Sequence, residues 1–215
     1  MKTRIISACV MLPLLIVVYL GGYLLMAAVL VGLIGLREFY NGFEAAGSRP
    51  SKPIGYTALV LLYGLNLAFP SDLRFILLWL SLVVIASMVY GFNVEERKLE
   101  DMTSTLLGIV YVVFFSFHIV LIDQTADRDL IWLVFLASFG TDIMAYFVGM
   151  AIGKHKLCPH LSPKKSKEGA VGGVLGSVLF CGIFAYFMEP DIIPECMIIA
   201  VVGSVVAQLG DLSAS

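Results

Sequence analysis

Two aspartates stand in apolar stretches of this chain, and a lysine-rich segment runs between them. Asp142 lies in Ser138-Phe-Gly-Thr-Asp142-Ile-Met-Ala-Tyr146-Phe-Val-Gly149. At helical spacing Ser138, Ala145, Tyr146, Gly149 and Gly153 share its face, which is small or polar throughout. Such a face is expected to look into a helix bundle. An ionisable group inside a membrane helix is expensive, so it marks a polar cavity or is hydrogen-bonded between helices; both readings fit Asp142. Ser204, Ala207, Gln208, Asp211 and Ser215 repeat the device near the end of the chain. Asp211 reads either as an interfacial carboxylate ending a helix or as a ligand. Two carboxylates on inward faces near one membrane side offer the hard oxygens that a divalent cation such as Mg2+ prefers.

The segment between them is Gly153-Lys-His-Lys-Leu-Cys-Pro-His-Leu-Ser162-Pro-Lys164-Lys165-Ser-Lys-Glu168-Gly169, which holds five lysines. It opens into Gly169-Ala-Val-Gly172-Gly173-Val-Leu-Gly176-Ser177. A basic loop running into a glycine-rich helix start suits phosphate, because lysine charge, backbone donors and the helix dipole converge there. The same residues also serve as membrane-flanking lysines ahead of a helix that packs closely through small residues.

The elements that hold these residues follow from composition. Of 215 residues, 60% are hydrophobic and 14% charged, and mean hydropathy is +0.95. A soluble domain needs roughly a quarter of its residues charged, so a water-soluble globule is excluded. Disorder is excluded by the dominance of apolar residues. A balance of 14 Lys+Arg against 16 Asp+Glu gives no cationic field for nucleic acid. The fold class is therefore all-α, a polytopic transmembrane bundle. Apolar runs place helices at about 5–20, 22–36, 54–69, 75–92, 103–122, 130–152, 170–188 and 193–210. Residues 1–129 would form an N-terminal helical region and 130–215 the region carrying the chemistry. The connections 37–53 and 153–169 are expected as loops. With both termini on one side, twelve of the fourteen basic residues fall on that side, with Arg74 and Arg128 opposite. The positive-inside rule then puts both termini and loop 153–169 in the cytoplasm. Cys9, Cys158, Cys181 and Cys196 show no CxxC spacing and read as small core residues where they lie in apolar runs. His155, Cys158 and His160 lack a fourth ligand for zinc.

Four strings resemble a known family: Thr141-Asp142-Ile-Met-Ala-Tyr146-Phe-Val-Gly149, Gly153-Lys-His-Lys-Leu, Leu161-Ser162-Pro163-Lys164-Lys165-Ser-Lys-Glu168-Gly169 and Ala207-Gln208-Leu-Gly210-Asp211-Leu. They are similar to the bacterial phosphatidate cytidylyltransferases, closely over 130–215. Before that the match is one of hydropathy and of small touches such as Arg37-Glu38-Phe39-Tyr40. The resemblance implies transfer of a cytidylyl group from CTP to phosphatidic acid at the inner membrane, giving CDP-diacylglycerol and pyrophosphate. It implies that Asp211 and Asp142 hold Mg2+ or another divalent cation, and that Lys164 and Lys165 neutralise phosphates. Ser162, Gly169 and Gln208 would line the substrate site with them. CTP, phosphatidic acid and membrane lipid are the expected partners, with room for a homodimer and none for nucleic acid. Family members continue past Gly210-Asp211 into a Lys-Arg, Lys-Asp, Pro-Gly-His-Gly-Gly and Asp-Arg-x-Asp signature, whereas this sequence stops at Ser215. On that reading it is a truncated member that inserts in the membrane but is poorly active by itself.

Rival readings are a transporter or channel, another CTP-using lipid enzyme such as a polyprenol kinase or an archaeal-lipid cytidylyltransferase, and a non-catalytic scaffold. A transporter requires a path reaching both faces, whereas the acidic and basic candidates here gather on one.

Overall fold

The computed structural model describes residues 24–70, 72–93 and 95–213. Among them are seven long helices: α1 (Leu24–Ala45), α2 (Lys52–Ala68), α3 (Leu73–Tyr90), α4 (Leu99–Asp123), α5 (Ile131–Ile152), α6 (Lys167–Met188) and α7 (Ile193–Ser213). Six are long and apolar enough to cross a membrane. The seventh, α2, has 17 residues and rises about 25 Å, at the lower edge of what a bilayer core needs. The expected polytopic helical bundle is the observed fold. The helix expected at 5–20 lies outside the described residues.

The chain divides between Arg128 and Asp129 into two compact units. In the first, α1 continues well past the expected end at 36, so Arg37-Glu38-Phe39-Tyr40 is helical rather than part of a loop. No breaker intervenes until Gly47, whose φ of +94° lies in the left-handed region open to glycine. The extension matters because Leu36 and Tyr40 are fully buried. The Tyr40 ring lies against Gly55 and Gly108, where added β-carbons would collide with it, and its hydroxyl donates to the Thr105 carbonyl at 2.9 Å. Asp101, only 2% exposed, ties the connecting segment to the start of α4. Its carboxylate accepts from the backbone N–H groups of Arg49, at 2.5 Å, and Lys98, at 2.9 Å. Ser51 N–H donates to the Thr105 hydroxyl at 2.8 Å. Trp79, buried in the core, donates its indole N–H to the Ala58 carbonyl at 2.8 Å. Residues 109–114 of α4 form a π-helical turn, and the hydroxyl of Ser116 bonds back to the carbonyls of Val112 and Val113.

The second unit contains α5, a short hairpin, α6 and α7. Instead of a loop over 153–169, β1 (Lys156–Cys158) and β2 (Ser162–Ser166) pair antiparallel, Lys156 opposite Ser166 and Cys158 opposite Ser162. Helix α6 begins at Lys167 because Ser166 caps it, its Oγ accepting from Gly169 N–H at 3.1 Å. The contact between α5 and α6 is built on glycine. A β-carbon on Gly169 would lie 2.8 Å from the Ala145 carbonyl oxygen, and one on Gly173 would lie 3.0 Å from that of Thr141. One on Gly140 would lie 2.8 Å from the Phe180 ring and 3.5 Å from Ser177 Cα, and one on Gly176 would strike Met144. Small residues allow this approach where no hydrophobic effect drives helices together in lipid. Helix α7 completes the unit over a cluster of Leu133, Ala137, Cys181, Ala185, Cys196 and Ala200, in which both cysteines are free thiols.

Gly169→Ala is expected to cost about 1–3 kcal/mol, since the added methyl meets backbone rather than a flexible side chain. Gly64→Ala, at an exposed position of α2 with nothing within 4 Å, should instead raise stability by about 0.5–1 kcal/mol. Thermal unfolding of both variants in detergent measures the difference; equal midpoints would contradict the glycine contact.

Candidate functional site

Four polar side chains bind α5, α6 and α7 together inside the second unit. Thr141 Oγ1 donates to Ser204 Oγ at 2.6 Å and also reaches the Ala137 carbonyl. Ser177 Oγ donates to the Ala200 carbonyl at 2.9 Å. Gln208 Nε2 reaches the Ala170 carbonyl at 3.2 Å and Ser204 Oγ at 3.3 Å. Thr141, Ser177 and Ser204 are all fully buried, so each bond satisfies a group with no water to turn to.

This ladder sets the register for the charged residues. Asp142 follows Thr141, and Asp211 lies two turns beyond Ser204 on a helix that runs in the same direction. Their Cα atoms are therefore offset by about 9 Å along the axes. Asp142 is exposed at the unit's surface, near enough to Asp211 and Lys165 for both charges to act on it. Lys165, in β2, reaches Asp211 with Nζ 2.6 Å from Oδ2. The hairpin thus carries its lysine to the end of α7. Lys164 alternates away from Lys165 along β2 and is exposed, and Ser162 is half-buried at the start of that strand. Gly169 is buried in the α5–α6 contact, and its N–H is taken up by Ser166.

Of the face proposed for α5, only part packs: Ser138, Ala145 and Gly149 are half-buried, whereas Asp142, Tyr146 and Gly153 are exposed. The buried positions here are Gly140 and Thr141, outside that face. The packed stripe is centred one residue before the aspartate, because close helix contact selects the glycines and the threonine rather than the bulky tyrosine. The α7 face is as expected where described: Ser204 is buried and Ala207 and Gln208 half-buried, leading to an exposed Asp211. Ser215 lies outside the described residues.

The spacing of sequence motifs missed the part played by Glu168. Its carboxylate accepts from Lys154 N–H at 3.1 Å and His155 N–H at 3.2 Å, and pairs with His155 Nδ1 at 2.6 Å. Lys167 N–H closes the turn onto the His155 carbonyl at 2.8 Å. The beginning of the hairpin is so fastened to the first turn of α6. The available signal was Ser166 two residues before an acidic residue, the pattern of a helix start. His155 is engaged in this clamp, and among the described residues no group of three or more His, Cys, Asp or Glu could hold a metal.

A model of the cytidylyltransferase family matches residues 2–215. The chain belongs to this family. The phosphatidate cytidylyltransferase of Staphylococcus haemolyticus is 28% identical over 98% of this chain and 80% of its own length. That of Staphylococcus aureus strain COL is 26% identical over the same shares. The phosphatidate cytidylyltransferase of Thermotoga maritima is 25% identical, covering 86% of this chain and 68% of its own. For a cytidylyltransferase the polar end of this unit has the needed chemistry, with acidic oxygens and lysine charge side by side.

Glu168→Gln retains the side-chain shape but removes the charge that His155 and two backbone donors share. The hairpin is expected to loosen and Lys165 to leave Asp211. Protease cleavage after Lys156 or Lys164 should accelerate at least severalfold over the parent chain. Cleavage at the parental rate would show that the clamp does not hold the hairpin.

Proposed function

We propose that the chain catalyses cytidylyl transfer from CTP to phosphatidic acid at the membrane, forming CDP-diacylglycerol and releasing pyrophosphate. The observation carrying this reading is the Lys165–Asp211 pair beside Asp142, at one end of a membrane-embedded helix trio in a chain of the cytidylyltransferase family. The lipid's phosphate oxygen attacks the α-phosphorus of CTP, and the bond to the β-phosphate oxygen breaks as pyrophosphate departs. Both reactants are anions, so the protein's task is to bring them together and to stabilise charge on the leaving group. Lys164 and Lys165 supply positive charge on a strand fixed at both ends. Ser162 and Gln208 offer hydroxyl and amide donors to phosphate or ribose. The nucleophile belongs to the lipid, so no Ser/His triad is required.

The acidic pair also fits a divalent cation such as magnesium. That ion usually takes one or two protein carboxylates and completes its shell with water and substrate phosphates. Asp211, exposed beside its lysine, and Asp142 deeper along α5 would hold it. When bound it neutralises phosphate charge. In the absence of substrate Asp211 orients Lys165.

The membrane placement is a multi-pass one, with the hairpin, the acidic pair and both termini facing the cytoplasm of the cell membrane. This orientation is supported by the twelve-to-two distribution of basic residues. Single cysteines at Lys156 and Asp127 test it. The Asp127 site should react with an impermeant maleimide from outside intact cells and the Lys156 site only after lysis. The reverse pattern would overturn the orientation.

Activity is measured as pyrophosphate release dependent on CTP and phosphatidate. The protein should turn over, and Asp211→Asn should lower kcat by roughly 100-fold or more. Lys164→Ala should mainly raise KM, since a point charge is lost while the carboxylates remain. Production of a phosphorylated lipid with release of CDP would instead identify a kinase, and wild-type turnover in Asp211→Asn would remove the assigned role of that residue.

A further inference from the structure

Away from the acidic pair, α5 and α6 enclose an apolar groove of about 460 Å³ between Met144, Val148 and Ile152 on one wall and Val171, Gly172 and Leu175 on the other. At 100° per residue, Met144 and Val148 stand a third of a turn or more round α5 from Asp142, and Val171 and Leu175 stand more than a quarter of a turn from Ala170 and Ser177, the α6 positions that bond α7. The groove is therefore separate from the Lys165–Asp211 site. At its floor Val148 packs directly on Gly172, where a β-carbon would run into it. Val171, Leu175 and Ile152 are exposed along it, and each wall, 144–152 and 167–175, runs for roughly 12 Å of helix.

Its mouth differs from its walls. Lys167 lines it, and the hairpin register places exposed Lys156 opposite Ser166, the residue before Lys167. Exposed Lys154 follows Ile152 by two positions. The acidic residue at the mouth, Glu168, has its carboxylate turned to His155 and the backbone of Lys154 and His155, so its charge is committed to the hairpin. A dry groove along the helices with uncommitted lysines at its end matches an amphiphile with an acyl chain and a negatively charged head.

We propose that this groove is a binding site for an anionic glycerophospholipid of the surrounding bilayer, distinct from the substrate site, with one acyl chain between Val148 and Leu175 and its phosphate at Lys167. The acyl chain lies along the exposed walls, over the contact between Val148 and Gly172. Lysine ammonium at the headgroup level attracts anionic lipid. Occupation would brace the α5–α6 pair next to the turn from which the hairpin springs.

Native mass spectrometry of the purified chain tests this, with dioleoyl phosphatidylglycerol and dioleoyl phosphatidylcholine supplied at equal concentration. One phosphatidylglycerol should be retained at least fivefold over phosphatidylcholine. Lys167→Glu should bring the ratio to parity, and Leu175→Trp, which fills an exposed part of the groove, should lower retention of both lipids. Val202→Trp, at an exposed site on α7, should change neither, and Lys165→Met should leave phosphatidylglycerol bound. Equal retention of the two lipids by the parent chain would overturn the proposal. So would undiminished retention in a Leu175→Trp protein with the parental unfolding temperature. Loss of phosphatidylglycerol in Lys165→Met but not in Lys167→Glu would place the lipid at the substrate site. If Leu175→Trp instead turns a dimer into a monomer without altering retention, the groove receives a second copy of the chain.

Discussion

Direct backbone approach between α5 and α6 is the constraint on which the second unit depends. In lipid, apolar side chains gain little by leaving hydrocarbon for protein, so helices associate through close packing and polar bonds. Gly140, Gly169, Gly173 and Gly176 remove the side chains that would keep the two helices apart. Only at this separation do the neighbouring polar groups reach their partners. The Ser177 hydroxyl meets Ala200, and Thr141 meets Ser204. Each such bond is worth only about 0.6–2 kcal/mol in a membrane protein, so the ladder fixes register more than it supplies stability. Register is what the chemistry needs, because it determines how far Asp142 lies from Asp211.

The hairpin turns that register into a site. A flexible lysine on a 17-residue loop would spread its charge over a wide volume, and the entropy of localising it would be lost anew at every binding event. Here the loop is closed twice, by strand pairing and by the Glu168 clamp on His155. Ser166 completes the arrangement by starting α6 directly after β2. Lys165 thereby arrives at Asp211 as part of the fold. An ion pair with 57% of the aspartate exposed contributes little to stability, and this is consistent with a pair whose members are meant to be shared with substrate.

How much of this could be read from residues alone depended on the physical signal each feature leaves. The helices among the described residues followed from uninterrupted hydropathy, which the bilayer imposes directly. Helix ends did not: Arg37 and Glu38 ended the apolar run but not α1, because charge ends a hydrophobic stretch without breaking a helix, and Gly47 was the real stop. Asp142 and Asp211 were visible as carboxylates in apolar surroundings. The face of Asp142 was displaced by one position, since a helical wheel counts polarity whereas packing selects size. The hairpin was hidden because β1 and β2 are short, polar and rich in lysine, with none of the alternation that marks a half-buried strand. Glu168 was quoted within a motif, yet its bond to His155 spans thirteen residues and leaves no periodic trace.

The first unit meets the same membrane constraint by another route. Its core relies on large side chains, with Tyr40 seated against Gly55 and Gly108, Trp79 stacked on Phe114 and Phe117 edge-on to Tyr63. Every polar atom that such residues bring must be paired, and the indole of Trp79 and the hydroxyl of Tyr40 both end on backbone carbonyls. Asp101 does for the turn at Arg49 what Glu168 does for the turn at His155: one carboxylate collects backbone N–H groups from a connection and ties them to the first turn of a helix. An acidic residue in the first turn is favoured there by the helix dipole and by unpaired amides. Both units thus use a carboxylate at a helix start to fix a connecting segment. The second differs in what the segment carries, since the turn held by Glu168 leads to a lysine aimed at Asp211 and the turn held by Asp101 leads only into α2.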